Sequence, residues 1–135
     1  MRLLKIFLII SLIVFVSLGA IYFVGTGFLE RMDVLLYDYS VSEDGTKLTF
    51  NASIASSMGF IRGYKDNGGG VKPHYLTFYS TFGGLNSSFG AKKEFVLELD
   101  ENDSEIYFKR GNRSYKLVLK KNAETGFWER PDSKE

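Results

Sequence analysis

His74 is the only histidine in the chain, and there is no cysteine. Conventional zinc sites combine several histidine or cysteine ligands, and serine or cysteine hydrolases pair their nucleophile with a histidine base. One histidine without such companions supports neither kind of site. Because His74 follows Pro73 at the start of an apolar–polar alternation, we expect it at the surface of the protein. The sequence predicts no metal site, no cofactor and no histidine-based catalysis.

Paired carboxylates are the hydrolytic chemistry that the sequence leaves open. A glycosidase needs two of them, one as an acid and one as a base or nucleophile, and they meet only in three dimensions. Asp38 could pair with Asp66 or with Glu94 in a hydrolase that acts on cell-wall polymer. The acidic run 100–105 has ligands that calcium prefers, but it lacks the glycine and the glutamate that an EF-hand loop places at fixed positions. We therefore predict a solvated turn there.

Arg62 stands where an apolar side chain is expected. It falls in the same strand phase as Phe60 and Tyr64, which face one side of a strand. A bulge at Gly59 or Gly63 could slip the phase and leave Arg62 at an edge, stacked on an aromatic neighbour. The alternative is a fixed cation that binds a carboxylate or phosphate.

The segment 83–93 is the longest irregular part of the chain, with the glycines, hydroxyls and lysines of a backbone anion nest. It lacks the spacing of a phosphate loop, so Leu85 and Phe89 more simply fold it onto the domain. Tyr75 and Tyr79 alternate along one strand and could form an aromatic surface for a sugar or a protein, unless that face packs inside. The predicted ligand- or partner-binding residues are Arg62, Tyr75, Tyr79, Asn86, Lys92 and Lys93.

These candidate residues follow a long apolar segment. Residues 6–29 carry no charge, and Arg2 and Lys5 precede them. About 20 apolar residues in a helix cross a bilayer, and flanking cations stay in the cytoplasm. The sequence therefore predicts one membrane-spanning helix at the cell membrane. The predicted segments are a cytoplasmic N-terminus 1–5, an anchor 6–29, a tether 30–33, an extracytoplasmic domain 34–130 and a tail 131–135.

A cleaved signal is the alternative to an anchor, and it would leave a secreted protein. Small residues at 17–19 and 25–27 could each form a cleavage site. The first would leave apolar residues stranded on the mature protein, and the second follows a run too long for a signal. An uncleaved anchor is the favoured interpretation.

The domain beyond the anchor is nearly neutral. All 16 acidic residues lie at or after Glu30, and only Arg2 and Lys5 of the basic residues precede it. Nucleic-acid binding normally requires a concentrated basic surface, so we predict no nucleic acid as a partner. The basic run between Lys109 and Lys121 surrounds the last hairpin and could face anionic headgroups, although an ordinary exposed hairpin has the same composition.

Short alternating segments separated by turns follow one another along the domain. Tyr37, Tyr39 and Val41 are expected to face the core, and Asp44-Gly45 marks a hairpin. Seven or eight such strands, spaced every 8–12 residues without a helical period, are typical of an antiparallel β-sandwich, immunoglobulin-like or similar. A small closed β-barrel is the alternative.

The run 79–95, together with 105–108 and 115–119, resembles a domain of small exported or membrane-anchored proteins of Gram-positive bacteria. The resemblance implies an extracytoplasmic β domain and no established activity. The absence of catalytic motifs leaves a non-enzymatic interaction or ligand-sensing module as the preferred function, with another envelope protein or a wall component as its partner. A wall hydrolase with a carboxylate pair is the alternative.

Overall fold

The computed structural model describes residues 1–56, 58–68, 73–84 and 86–131. The predicted tail 131–135 therefore lies outside the described residues except at its first position, and so does Leu85. Within the described part, one helix precedes nine strands: α1 Arg2–Thr26, β1 Glu30–Arg31, β2 Val34–Val41, β3 Lys47–Ile54, β4 Ile61–Asp66, β5 His74–Ser80, β6 Glu94–Glu98, β7 Glu105–Lys109, β8 Tyr115–Lys121 and β9 Trp128–Glu129.

α1 is a 25-residue helix that is long and apolar enough to span a membrane or to act as a signal peptide. At 1.5 Å per residue it extends about 38 Å. Its side chains are exposed along almost its entire length, and Thr26 is its one buried residue. The chain does not continue as a free tether, because β1 follows directly and pairs with β5.

The strands form two open sheets, which agrees with a β-sandwich and not with a closed barrel. The large sheet has the order β4-β5-β7-β8-β9, and β1 also pairs with β5. The small sheet has the order β2-β3-β6. All pairs are antiparallel except β5 and β7, which are parallel.

Aromatic side chains fill the space between the two sheets. Phe50 of β3 and Phe95 of β6 project from the small sheet, and Phe78 of β5 and Phe108 of β7 project from the large one. The Phe78 ring centroid lies 4.7 Å from that of Phe108, 5.8 Å from that of Phe95 and 6.3 Å from that of Phe50. Edge-to-face contacts at these separations are the preferred geometry for aromatic pairs.

A bulge in β2 corrects the predicted phase of the first long strand. The pairing with β3 shifts between Leu36 and Asp38, so Tyr37 turns outward and is 61% exposed. Tyr39 faces inward as predicted and packs against the core, whereas Val41, at the end of the strand, is 36% exposed and not part of the core. Val34, at 0% exposure, fills a core position that the prediction had not included.

The pairing of the strands defines two ends of the sandwich. β1 pairs with Phe78 and Tyr79, so the last residues of β5 lie beside the end of α1. β7 runs parallel to β5, and its final residue Lys109 forms an ion pair with Glu30 of β1 at 2.6 Å. We call this the α1 end, and we call the opposite end, where β5 begins at His74, the far end.

Arg130 covers the outer edge of the small sheet. β2 is an edge strand, and its carbonyl groups at Leu36 and Tyr37 accept hydrogen bonds from the Arg130 guanidinium. The same guanidinium lies over the ring of Tyr39, whose hydroxyl donates to the Trp128 carbonyl at 2.9 Å. The C-terminal segment thus joins the two sheets and occupies the edge with a charged side chain.

Candidate functional site

The α1 end forms a socket for the last turn of the helix. Gly27 is buried against the ring of Phe82, and an added Cβ at Gly27 would lie 2.1 Å from the nearest ring carbon. Phe23 contributes its ring from inside the helix and stacks on Phe82 at 6.2 Å between centroids. Phe89 closes the cluster with an edge-on contact to Phe23 at 5.6 Å.

Polar groups of β5 and the following loop bind the end of α1. The amide of Gly83 donates to the Thr26 hydroxyl at 2.8 Å and to the Phe23 carbonyl at 3.2 Å. The Ser80 hydroxyl donates to the Thr26 carbonyl, and the Ser80 amide donates to the Leu29 carbonyl at 2.8 Å. These bonds satisfy backbone and hydroxyl groups that a free helix end leaves to water. The helix and the sandwich are therefore joined by packing as well as by the chain.

Arg62 lies in this socket, and its predicted role in ligand binding stays a prediction. The pairing of β4 with β5 shifts between Ile61 and Gly63, as the bulge interpretation predicted. The Arg62 Nε donates to the Gly27 carbonyl at 2.6 Å, and the guanidinium carbon lies 4.7 Å from the Phe82 ring centroid. A cation at the C-terminal end of a helix complements the helix dipole. The side chain thus fixes α1 against the domain.

The segment 83–93 uses its backbone donors for the same purpose. Gly83 has φ +94°, and its amide points at α1 instead of forming an anion nest. Phe89 folds onto the socket as predicted, whereas Asn86 is exposed. The Lys92 amide donates to the Ile61 carbonyl at 2.9 Å, and the side chains of residues 92 and 93 are exposed at the α1 end.

Four tyrosines lie on the outer face of the large sheet. Tyr75 and Tyr79 lie on the face of β5 opposite the core residues Leu76 and Phe78, which resolves the predicted alternatives in favour of an outward face. Thr77, between the two tyrosines on this face, is fully buried. The Tyr75 ring stacks on that of Tyr107 at 5.1 Å and contacts that of Tyr115 at 4.8 Å. The Tyr107 hydroxyl donates to Glu105 at 2.6 Å, and this bond raises the pKa of Tyr107 to about 12. All four are half-buried, so each presents part of its ring or its hydroxyl to solvent.

His74 is buried at the far end, and the prediction that it lies at the surface is wrong. Its Nδ1 contacts the Asp66 carboxylate, and its Nε2 lies 2.9 Å from the Asp103 carboxylate. The Asp103 carboxylate also accepts a hydrogen bond from the Asp100 amide at 2.6 Å. Asp103 is 1% exposed, so the run 100–105 is not simply a solvated turn. The contacts of His74 with Asp66 and Asp103 thus connect β5 to the end of β4 and to the turn before β7.

The predicted carboxylate pairs do not form a comparable cluster. Asp66 belongs to the His74 contact on the large sheet, whereas Asp38 lies on the exposed outer face of the small sheet. Asn51 of β3 is the register partner of Asp38 in β2 and of Glu94 in β6, so the two carboxylates lie on the two strands that flank β3. Two strand spacings separate their backbones by about 10 Å. The face is a sheet surface, and the hydrolase stays a prediction.

The socket and the tyrosine partners were not predicted from the sequence. Gly27 and Phe82 are 55 positions apart, and only the pairing of β1 with β5 brings them together. Tyr107 meets Tyr75 because β5 and β7 are parallel, which alternation along one strand does not reveal. No family model, curated protein or solved structure matches the chain. The resemblance to exported β-domain proteins of Gram-positive bacteria therefore stays a prediction.

Proposed function

We propose that the protein is a single-span membrane protein that holds a non-enzymatic interaction module at the outer surface of a bacterial cell membrane. In this proposal α1 stays uncleaved, Met1 is cytoplasmic and the sandwich is extracytoplasmic. Its partner is another protein of the envelope, bound through the tyrosine face of the large sheet. The immunoglobulin-like topology and the Gram-positive source remain predictions.

The socket supports an anchor over a cleaved signal. Cleavage after residue 27 would remove Phe23, Thr26 and Gly27 from the domain. The Arg62 guanidinium and the Gly83 amide would then lose the acceptors they have on α1. A signal peptide has no need of such a fitted seat, because it is removed before the domain folds.

The tyrosine face is the observation that carries the binding proposal. Tyr79 lies beside the end of α1, and Tyr75 lies four residues earlier in β5, about 13 Å away towards the far end. Tyrosine is enriched in protein interfaces because it combines a large apolar ring with a hydroxyl at low cost in side-chain entropy. A face that begins next to α1 and extends away from it is accessible to a neighbouring membrane protein.

Photo-crosslinking in the native envelope tests this proposal. A photoreactive amino acid is placed at Tyr107 or Tyr115, and a matched control is placed at Thr49 on the outer face of the small sheet. We expect one and the same protein to be captured from positions 107 and 115, and not from position 49. Equal capture from all three positions, or capture of wall polymer alone, would contradict a protein-binding tyrosine face.

Topology is tested separately by adding protease to intact cells without a wall. We expect digestion of the sandwich and retention of α1 in the membrane fraction. Complete protection of the sandwich would reverse the proposed orientation. Recovery of the sandwich in the medium would show that α1 is a cleaved signal.

A further inference from the structure

We propose that the α1 end of the sandwich is a contact surface for the anionic headgroups of the membrane that α1 spans. This inference rests on the proposed single span and concerns a different surface from the tyrosine face. It assigns a role to basic and aromatic side chains at that end. The exposed basic side chains of the surface are Lys92, Lys93, Arg113 and Lys116, and Arg110 joins them half-buried, with its guanidinium carbon 5.9 Å from the Phe108 ring centroid.

The direction of β7 brings the basic hairpin to this end. Lys109 at the end of β7 is paired with Glu30, four residues after the end of α1. The turn that follows carries Arg110 and Arg113, and β8 then leads away towards the far end. The Arg113 side chain is exposed at the tip of the hairpin, and that of Lys116 is exposed at the start of β8.

Lys92 and Lys93 belong to the same end through a different part of the chain. Their backbone groups bond to Ile61 at the start of β4 and to Ala52 near the end of β3. Ile61 pairs with Ser80, which itself binds the end of α1. The exposed side chains of Lys92 and Lys93 therefore lie at the α1 end, on the side of the small sheet.

Exposed apolar side chains accompany these cations. Phe28 is 63% exposed, Phe89 is 64% exposed and Met58 is 51% exposed. Phe89 is fixed to the socket by its contacts with Phe23 and Phe82. Aromatic and apolar residues beside basic ones are the composition that settles at the headgroup layer, where rings meet acyl chains and cations meet phosphates.

The far end has the opposite charge. In the part of the chain that the structure describes, its turns bring together nine acidic side chains, against four basic ones, Lys47, Lys65, Lys120 and Lys121. In the described residues of that end the acidic side chains are Glu43, Asp44, Asp66, Glu98, Asp100, Glu101, Asp103, Glu105 and Glu124. An acidic far end and a basic α1 end orient the domain in the field of an anionic membrane, which attracts cations within about 8 Å at physiological salt.

The test uses the full chain in nanodiscs and a single reporter at the hairpin tip. Because the chain has no cysteine, Asn112→Cys gives one site for a spin label. The discs contain phosphatidylcholine alone or phosphatidylcholine with phosphatidylglycerol, and a paramagnetic metal chelated to a lipid headgroup reports proximity. We expect closer approach of the label in the anionic discs and a loss of that difference when salt is raised.

Charge variants identify the groups responsible. Arg113→Gln with Lys116→Gln is expected to reduce the difference between the two lipids, because it removes the two exposed cations of the hairpin that carries the label. The matched control, Lys47→Gln with Lys65→Gln, removes two exposed cations remote from the α1 end and is expected to preserve it. Thermal unfolding checks that both pairs of substitutions leave the domain folded.

A label that stays in solvent in both kinds of disc would overturn the inference, and so would equal approach in neutral and anionic discs. Carbonate extraction of native membranes separates this failure from a failure of the proposed span. A chain that resists extraction while its hairpin ignores lipid charge would retain the span and lose the headgroup surface. A chain that is extracted would remove the basis of both.

Discussion

Gly27 is the residue at which α1 contacts the sandwich most closely, and its replacement by alanine tests whether the socket holds the helix. The added Cβ would lie 2.1 Å, 2.2 Å and 2.8 Å from three carbons of the Phe82 ring. The closest approach that real Cβ atoms make is about 3.0 Å. One of the three carbons is the ring atom nearest the backbone, so the whole ring has to move.

Two effects of Gly27→Ala oppose each other. The backbone at Gly27 is right-handed helical, with φ −72° and ψ −9°, so alanine is allowed there and favours the helix. That gain is at most about 1 kcal/mol in a helix interior and smaller at a helix end. Overpacking typically costs about 1–3 kcal/mol, and the displaced ring also loses its contact with Arg62. We expect a net loss of about 1–2 kcal/mol.

Urea unfolding of the full chain in detergent micelles measures this loss, with the fluorescence of the single, buried Trp128 as the signal. Amide hydrogen exchange at Gly83 reports the docking locally, since that amide donates to α1. The matched control is Gly25→Ala, because no atom lies within 4 Å of a Cβ at that position. We expect faster exchange at Gly83 in the first variant and unchanged exchange in the control.

A second substitution makes the explanation refutable. If the clash with Phe82 causes the loss, Phe82→Ala should remove most of the additional cost of Gly27→Ala, and the two substitutions should be strongly non-additive. Equal unfolding free energies and equal exchange rates at the Gly83 amide in the variants at positions 27 and 25 would refute the claim that the socket holds α1. Additive losses at positions 27 and 82 would show that the ring is not what the added methyl group meets.

Three further predictions concern the domain itself, each measured by urea unfolding of the full chain. Asp103→Asn should destabilise it by about 1–3 kcal/mol, because the substitution changes a buried carboxyl group that contacts His74 and accepts a hydrogen bond from the Asp100 amide. Hydrogen bonds, chiefly from Ser42, lower the pKa of Asp44 from 3.8 to about 2. The stability that Asp44 contributes is therefore present above pH 3.8 and is lost as the pH falls towards 2. Asp44→Asn should flatten the dependence of the unfolding free energy on pH in that range. Tyr64→Phe should cost about 1 kcal/mol, since the hydroxyl donates across the sandwich to the small sheet.

Local patterns in the sequence predicted the class of fold well. Alternation placed Tyr39 on an inward face of the first long strand, and β2 carries it there. The charge-free run predicted α1 because helix formation in an apolar segment depends on nearby residues alone. The bulge that moves Arg62 was also anticipated, since glycine on either side made a change of phase easy.

Features that depend on distant pairing were not predicted. Tyr37 was assigned to the core because the sequence does not mark the bulge beside it. His74 was assigned to the surface because its acidic partner Asp103 is 29 positions away and reaches it only through the parallel pairing of β5 and β7. The socket likewise depends on which strand β1 joins. Such contacts can be predicted only when the order of the strands in the sheets is known, and the local patterns of a single sequence do not reveal that order.

The position of Arg130 has a consequence for how the chain is made. Its guanidinium bonds to the Leu36 carbonyl, 94 residues earlier in the chain. At synthesis rates of about 5–20 residues per second, about 5–20 s pass between the synthesis of β2 and the synthesis of Arg130, which covers its edge. During that interval β2 can pair with the same strand of another nascent chain. Chains leaving one messenger together would therefore be most vulnerable to mutual association just before their last strand emerges.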